Sequence, residues 1–194
     1  VRTEDDLTVW LGRMSEGDPA ALDQVMRLLY DEMRTLARQR LRAERPDHTL
    51  AATALVNEIY LKLAAQQRIN AADRVHFMGV AAMTMRRVLV DYARTRTRTK
   101  RGSGAQHVPL DDVEPFLSLE ESEEILALDA AIERLTALDP RAAKVVVQRF
   151  YSGLSVEETA ELLSVSTKTV QREWVAARAW LRKEVAREMG PPLC

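Results

Sequence analysis

The sequence predicts an all-α protein: two small helical domains joined by an acidic flexible linker, the second containing a helix-turn-helix. Three observations predict it. Glycine (7), proline (7) and aromatic residues (5%) are scarce, while apolar residues recur at three- and four-residue spacing. Asp or Ser stands at the head of one periodic stretch after another: Asp18–Pro19, Asp139–Pro140, Ser155 and Ser166. Charge inverts sharply near residue 101, where Gly102, Gly104, Pro109 and Pro115 also interrupt regular structure. At 194 residues and 46% hydrophobic, the chain can bury one sizeable core or two small ones. The expected boundaries are 1–101 for the first domain, 102–121 for the linker and 122–194 for the second domain.

Taken in order, Leu7, Val9, Trp10 and Leu11 make Thr3–Met14 a short amphipathic helix that Gly17 ends. Asp18–Pro19 starts the next, where Leu22, Val25, Met26, Leu29, Met33, Leu36 and Leu41 form a long apolar stripe. Arg27, Arg34, Arg38 and Arg42 give it a solvated face. Glu44–His48, with Pro46, is a loop. A helix follows over about Leu50–Gln67, with Leu55, Ile59 and Leu63 inward. Asp73 is placed to cap the helix after it, which carries Phe77, Val80, Ala81, Met85, Val88, Leu89 and Tyr92. Its end is strongly basic: Arg86, Arg87, Arg94, Arg96, Arg98, Lys100 and Arg101 against a single acid, Asp91. Arginine alternating with threonine supplies charge and hydroxyls to a polyanion. Cations also suit a helix C-terminus, but capping alone does not need so many.

The linker stretch, residues 102–124, reverses the sign with Asp111, Asp112, Glu114, Glu120, Glu121, Glu123 and Glu124 and no Lys or Arg, which explains the net charge of −1. It reads as a solvated spacer, with competition against DNA for the basic faces as a second role. Beyond it, Ile125, Leu128, Ile132 and Leu135 begin another helix, Asp139–Pro140 caps the next, and Gly153 ends that one.

Ser155–Trp180 then reads as a helix-turn-helix. Ser155 and Glu158 form a capping box. Val156, Thr159, Ala160 and Leu163 share one face, with Ala160 small enough for two helices to cross. Ser164–Val165 makes the turn, and Ser166 caps a second helix whose Val170, Trp174, Ala177 and Leu181 face inward. The opposite face carries Thr167, Lys168, Gln171, Arg172, Val175 and Arg178. Gln, Lys and Arg hydrogen-bond base edges, and Lys, Arg and hydroxyls suit phosphate. An ordinary hairpin with a polar face has similar composition. The two caps, the small crossing residue and the turn together favour DNA binding.

The order and spacing of three motifs carry a resemblance to bacterial RNA polymerase sigma factors of the extracytoplasmic-function group. LVNEIYLKL at 55–63 resembles that family's polymerase-clamp-binding helix. FMGVAAMTMRRVLVDYAR at 77–94 resembles the helices that melt and read the −10 promoter element. Residues 135–182 resemble the domain that reads the −35 element. The resemblance implies that Asn57, Glu58 and Lys62 face the polymerase. It puts Arg86 and Arg87 next to the loop that captures a flipped −10 base, and Arg94, Arg96 and Arg98 on the DNA backbone. It assigns Ser166, Thr167, Lys168, Gln171, Arg172 and Arg178 to the −35 duplex. Arg87 stands where the wider group often has Asn, so −10 specificity is expected to differ.

The implied partners are core RNA polymerase and promoter DNA, with an anti-sigma factor or a Ser/Thr kinase as candidate regulators. Related factors commonly carry acids just before the LVNE stretch. Here Ala51, Thr53 and Ala54 stand instead, which makes Thr53 a candidate phosphorylation site, with Thr49 second. A helix-capping or buried Thr is the plain alternative.

Catalysis is not expected, and neither is a cofactor or a metal. His48, His76 and His107 lie far apart, and no Gly-rich phosphate loop is present. Cys194 has no partner for an intramolecular disulfide. With no membrane-length apolar run and no signal peptide, a cytoplasmic location is expected. The alternative function is a helix-turn-helix regulator whose N-terminal domain senses a ligand or partner.

Overall fold

The computed structural model describes residues 3–41, 48–66, 69–100 and 117–190. The expected linker through residue 116, the basic side chains of Lys100 and Arg101, and Cys194 lie outside them, as do the side chains of Thr49 and Leu50. The described residues form eight helices and no strand: α1 (Thr3–Ser15), α2 (Ala21–Arg40), α3 (His48–Ala64), α4 (Arg74–Lys100), α5 (Leu119–Leu138), α6 (Pro140–Tyr151), α7 (Val156–Leu163) and α8 (Thr167–Met189).

Local chemistry sets these boundaries. Gly17 takes a left-handed φ of 91° and closes α1. The Asp18 carboxylate accepts the Ala20 amide at 2.9 Å, so Asp18–Pro19 forms a turn before α2 instead of lying in its first turn. Asp73 caps α4 by accepting the His76 amide at 2.9 Å. The helix it starts contains no proline, and α4 runs 27 residues without a break. Asp139 accepts the Arg141 and Ala142 amides, with Pro140 opening α6.

The start of α5 corrects the expected linker boundary. Ser118 and Glu121 form a second capping box, with the serine hydroxyl accepting the Glu121 amide and the carboxylate accepting the Ser118 amide at 2.6 Å. Glu120, Glu121, Glu123 and Glu124 therefore lie on α5. Acids at a helix N-terminus are stabilised by its free amides and macrodipole.

The apolar stripe of α2 packs on α1 and α3, and α3 packs on α4. The second half begins on the other side of α4, which also meets α5, α6 and α7. The buried residues join into one cluster from Leu7 in α1 to Leu181 in α8, with Phe77, Met78, Leu89, Ile132, Val146 and Tyr151 inside it. A small second cluster, Val145, Ala160 and Val170, sits under the α7–α8 turn. The two halves share a core.

Candidate nucleic-acid and polymerase interface

The α7–α8 pair is built from its caps inward. The Ser155 hydroxyl accepts the Glu158 amide at 3.0 Å, and the Glu158 carboxylate accepts the Ser155 amide at 2.7 Å. Burial alone would raise the Glu158 carboxyl, but the Ser155 amide and the Arg74 guanidinium outweigh it and hold the group below its ordinary value. α7 ends at Ser164, the one non-glycine residue with positive φ among those described, at 53°. The Val165 amide reaches back to the Ala160 carbonyl at 2.9 Å, a left-handed helix end that satisfies an otherwise free carbonyl. Val165 packs beside Ala160 and Val170, as its position in the turn predicts.

Ser166 caps α8 by accepting the Thr169 amide at 3.1 Å, so its hydroxyl is engaged at the helix start. Thr167, Lys168, Gln171, Arg172, Val175 and Arg178 are all exposed; Lys168, Arg172 and Val175 point away from the Val170–Ala177–Leu181 stripe, while Arg178 borders the cleft between α8 and α5. Val175 is 68% exposed, an apolar patch among the polar groups and suited to a thymine methyl. This face is open to solvent.

On α3, Asn57 and Lys62 are exposed and Glu58 is half-buried. They share a helix with Tyr60, whose hydroxyl donates to Asp23 of α2 at 2.6 Å. Lys62 lies 4.0 Å from Asp91 of α4, and both are more than half exposed. Thr53 is half-buried. Because α3 begins at His48 and not at Leu50, Thr53 falls in its second turn, beyond the free amides that favour phosphate. Thr53 therefore lacks the helix-start advantage expected for a phosphate acceptor.

The basic helix is arranged differently from the expectation. Arg86 and Arg87 sit mid-way along the unbroken α4, about 18 Å of helix from its start. No break in α4 falls beside them. Arg87, Arg94 and Arg98 are exposed and Arg96 is half-buried. Arg86 turns toward α5: its Nε donates to Asp129 at 2.9 Å and its Nη2 to Glu133 at 2.6 Å. The Arg86 and Asp129 side chains are only 12% and 13% exposed. Arg94 approaches the same Asp129 at 3.6 Å. Burial would lower the Arg86 guanidinium, but the bonds to Asp129 and Glu133 outweigh it and raise the group above its ordinary value.

Three buried or bridging ion pairs were not expected from the sequence. Asp129 falls inside the Ile125–Leu128–Ile132 stripe of α5. Glu173, buried, falls between Val170 and Ala177 on α8 and accepts from Arg141 at 2.7 Å. An acid at an inward position of an apolar stripe announces a buried partner. Arg74 forms the third: it pairs with Glu32 of α2 and, at 2.7 Å, with Glu158 of α7.

Among the described residues no cluster of His, Cys, Asp or Glu is arranged to hold a metal, and no helix is long and apolar enough to cross a membrane. A family model described as ECF sigma factor matches residues 4–187. The chain is also similar to an RNA polymerase sigma-E factor of Streptomyces avermitilis, at 28% identity over 173 residues that cover 89% of each chain. A match running from α1 to the last turns of α8 takes in all eight helices. The chain belongs to the ECF sigma factor family, whose members direct transcription initiation by RNA polymerase.

Proposed function

We propose that this sigma factor works as two functional domains, residues 1–101 and 118–194, each holding one promoter element. α3 docks on core RNA polymerase through Asn57, Glu58 and Lys62. α4 holds the −10 region through Arg86, Arg87, Arg94, Arg96 and Arg98. α8 reads the −35 duplex through Ser166, Thr167, Lys168, Gln171, Arg172 and Arg178. The observation that carries this reading is the exposed polar face of α8, set on a capped helix above an apolar underside. The protein performs no chemistry of its own and acts in the cytoplasm, where it meets the polymerase.

Run-off transcription tests the reading, with core polymerase and this protein on fragmented genomic DNA. Specific transcripts that need both components are expected. Specific duplex binding without polymerase, and no transcripts with it, would favour a helix-turn-helix regulator instead.

Control belongs to α3. Ala51, Thr53 and Ala54 leave it without the acids that would meet a basic clamp, and Glu58 alone is a weak substitute. A phosphate on Thr53 would add about −1.5 to −2 charge there. That charge would meet the clamp wherever the helix starts. Polymerase affinity is to be compared for wild type, Thr53→Ala, Thr53→Glu and kinase-treated protein. Tighter binding by the treated protein and by Thr53→Glu is expected. Equal, tight binding by untreated wild type and Thr53→Ala, with no gain on treatment, would leave an anti-sigma factor as the remaining regulator.

A further inference from the structure

Of the α4 arginines assigned above to promoter DNA, Arg86 is already occupied within the chain and Arg94 stands beside the same acid. Asp129 takes Arg86 through two nitrogens, Nε at 2.9 Å and Nη2 at 2.7 Å, and stands 3.6 Å from Arg94. Glu133 takes Arg86 again at 2.6 Å. These carboxylates present to α4 what a DNA phosphate would present, negative oxygens at hydrogen-bond distance from guanidinium. A charge buried as deeply as Asp129 is retained only with such a partner.

The occlusion is reinforced away from the ion pair. Arg74 joins α2 to α7 by bonding Glu32 and Glu158 together. The Arg40 guanidinium of α2 stacks on Phe150 of α6 at 4.2 Å. Gly79 of α4 lies so close to α7 and α6 that an added Cβ would meet Leu162 at 3.0 Å and Gln148 at 3.4 Å. A Cβ on Gly153 would fall 2.6 Å from Leu36 of α2. The α8 face, in contrast, is uncovered.

We infer that the free protein is self-inhibited: α5 substitutes for promoter DNA on the Arg86–Arg94 side of α4, so −10 contact requires the halves to part while the −35 face stays open. This rests on the assignment of α4 to the −10 region. A closed form that excludes one ligand lowers apparent affinity by the fraction of molecules that are open. Any partner that pulls the halves apart, the polymerase first, therefore activates the protein.

Two variants open the closed form by different routes. Asp129→Asn with Glu133→Gln removes the substitute charges. Gly79→Leu wedges α4 from α7 and touches no charge. X-ray scattering of the free full chain, with circular dichroism to confirm that helices persist, reads closure without DNA or polymerase. Wild type should show a radius of gyration of roughly 16 Å, that of a compact chain of this length, and both variants a larger one. In run-off assays at limiting protein, both should reach half-maximal transcription at concentrations lower by roughly 5- to 150-fold, the usual range of such coupling. Duplex binding at the −35 element should be unchanged. An already expanded wild type, variants that stay compact, or opened variants no more active than wild type would each overturn the inference. Failure of the wild type to yield any specific transcript would instead sink the promoter assignments and leave the scattering test of closure standing.

Discussion

Arg172 projects from α8 with 73% of its side chain exposed, and Glu173 at 3.9 Å is too distant and too engaged with Arg141 to hold it. It is free to turn into a groove and form a bidentate contact with a base. Arg172→Ala is expected to cost about 1–3 kcal/mol at one −35 position and to relax preference there. Binding measured on a set of single-base −35 variants checks this, because uniform weakening would mark a phosphate contact. The exposed set on α8 was legible because cap, turn and periodicity are all local signals. Glu173 and Asp129 were less so. Their place in an apolar stripe shows that they are buried, but their partners, Arg141 and Arg86, lie 32 and 43 residues away and no local pattern names them.

At the scale of elements, α7 depends on its capping box. Ser155→Ala should destabilise the protein by about 1 kcal/mol, seen as a lower urea midpoint with unchanged slope. The Glu158 carboxyl is held below its unfolded value of 4.5, so its contribution is complete above that pH and is lost as pH falls through the folded value. Glu158→Gln should therefore be less stable than wild type at neutral pH, with the gap narrowing below about pH 4.5. α4 carries a second prediction. If Arg94, Arg96 and Arg98 neutralise three phosphates, the triple Ala variant should flatten the log–log salt slope of promoter binding by roughly 2–3 units. An unchanged slope with unchanged affinity would return the block to a solvated helix end. The starts of α3 and α5 were the least legible features. The Ser118–Glu121 box was hidden in an acidic run that reads as linker, and Thr53 gained its apparent advantage from a helix start placed two residues late.

For the whole molecule, periodicity identified the helices but not that the two halves would share a core. Stripes on α4 and α5 are each wide enough to pack within their own half, and nothing in their spacing says that they face each other. The consequence is cooperative unfolding. Met33 in α2 and Ile132 in α5 are both fully buried and belong to the same cluster. Met33→Ala and Ile132→Ala should each cost about 2–5 kcal/mol, the range for large-to-small changes in a packed core. Because α4 is packed from both sides, each substitution should shift a single urea transition followed by fluorescence and by circular dichroism, with coincident curves and one slope. Independent halves would behave otherwise. Met33→Ala would then split off an early transition of the first half and leave the second at its wild-type midpoint. The tryptophans make the two cases separable, since Trp10 reports on the first half and Trp174 and Trp180 on the second. With Trp10 changed to Phe, the remaining fluorescence should still follow the damage done at Met33.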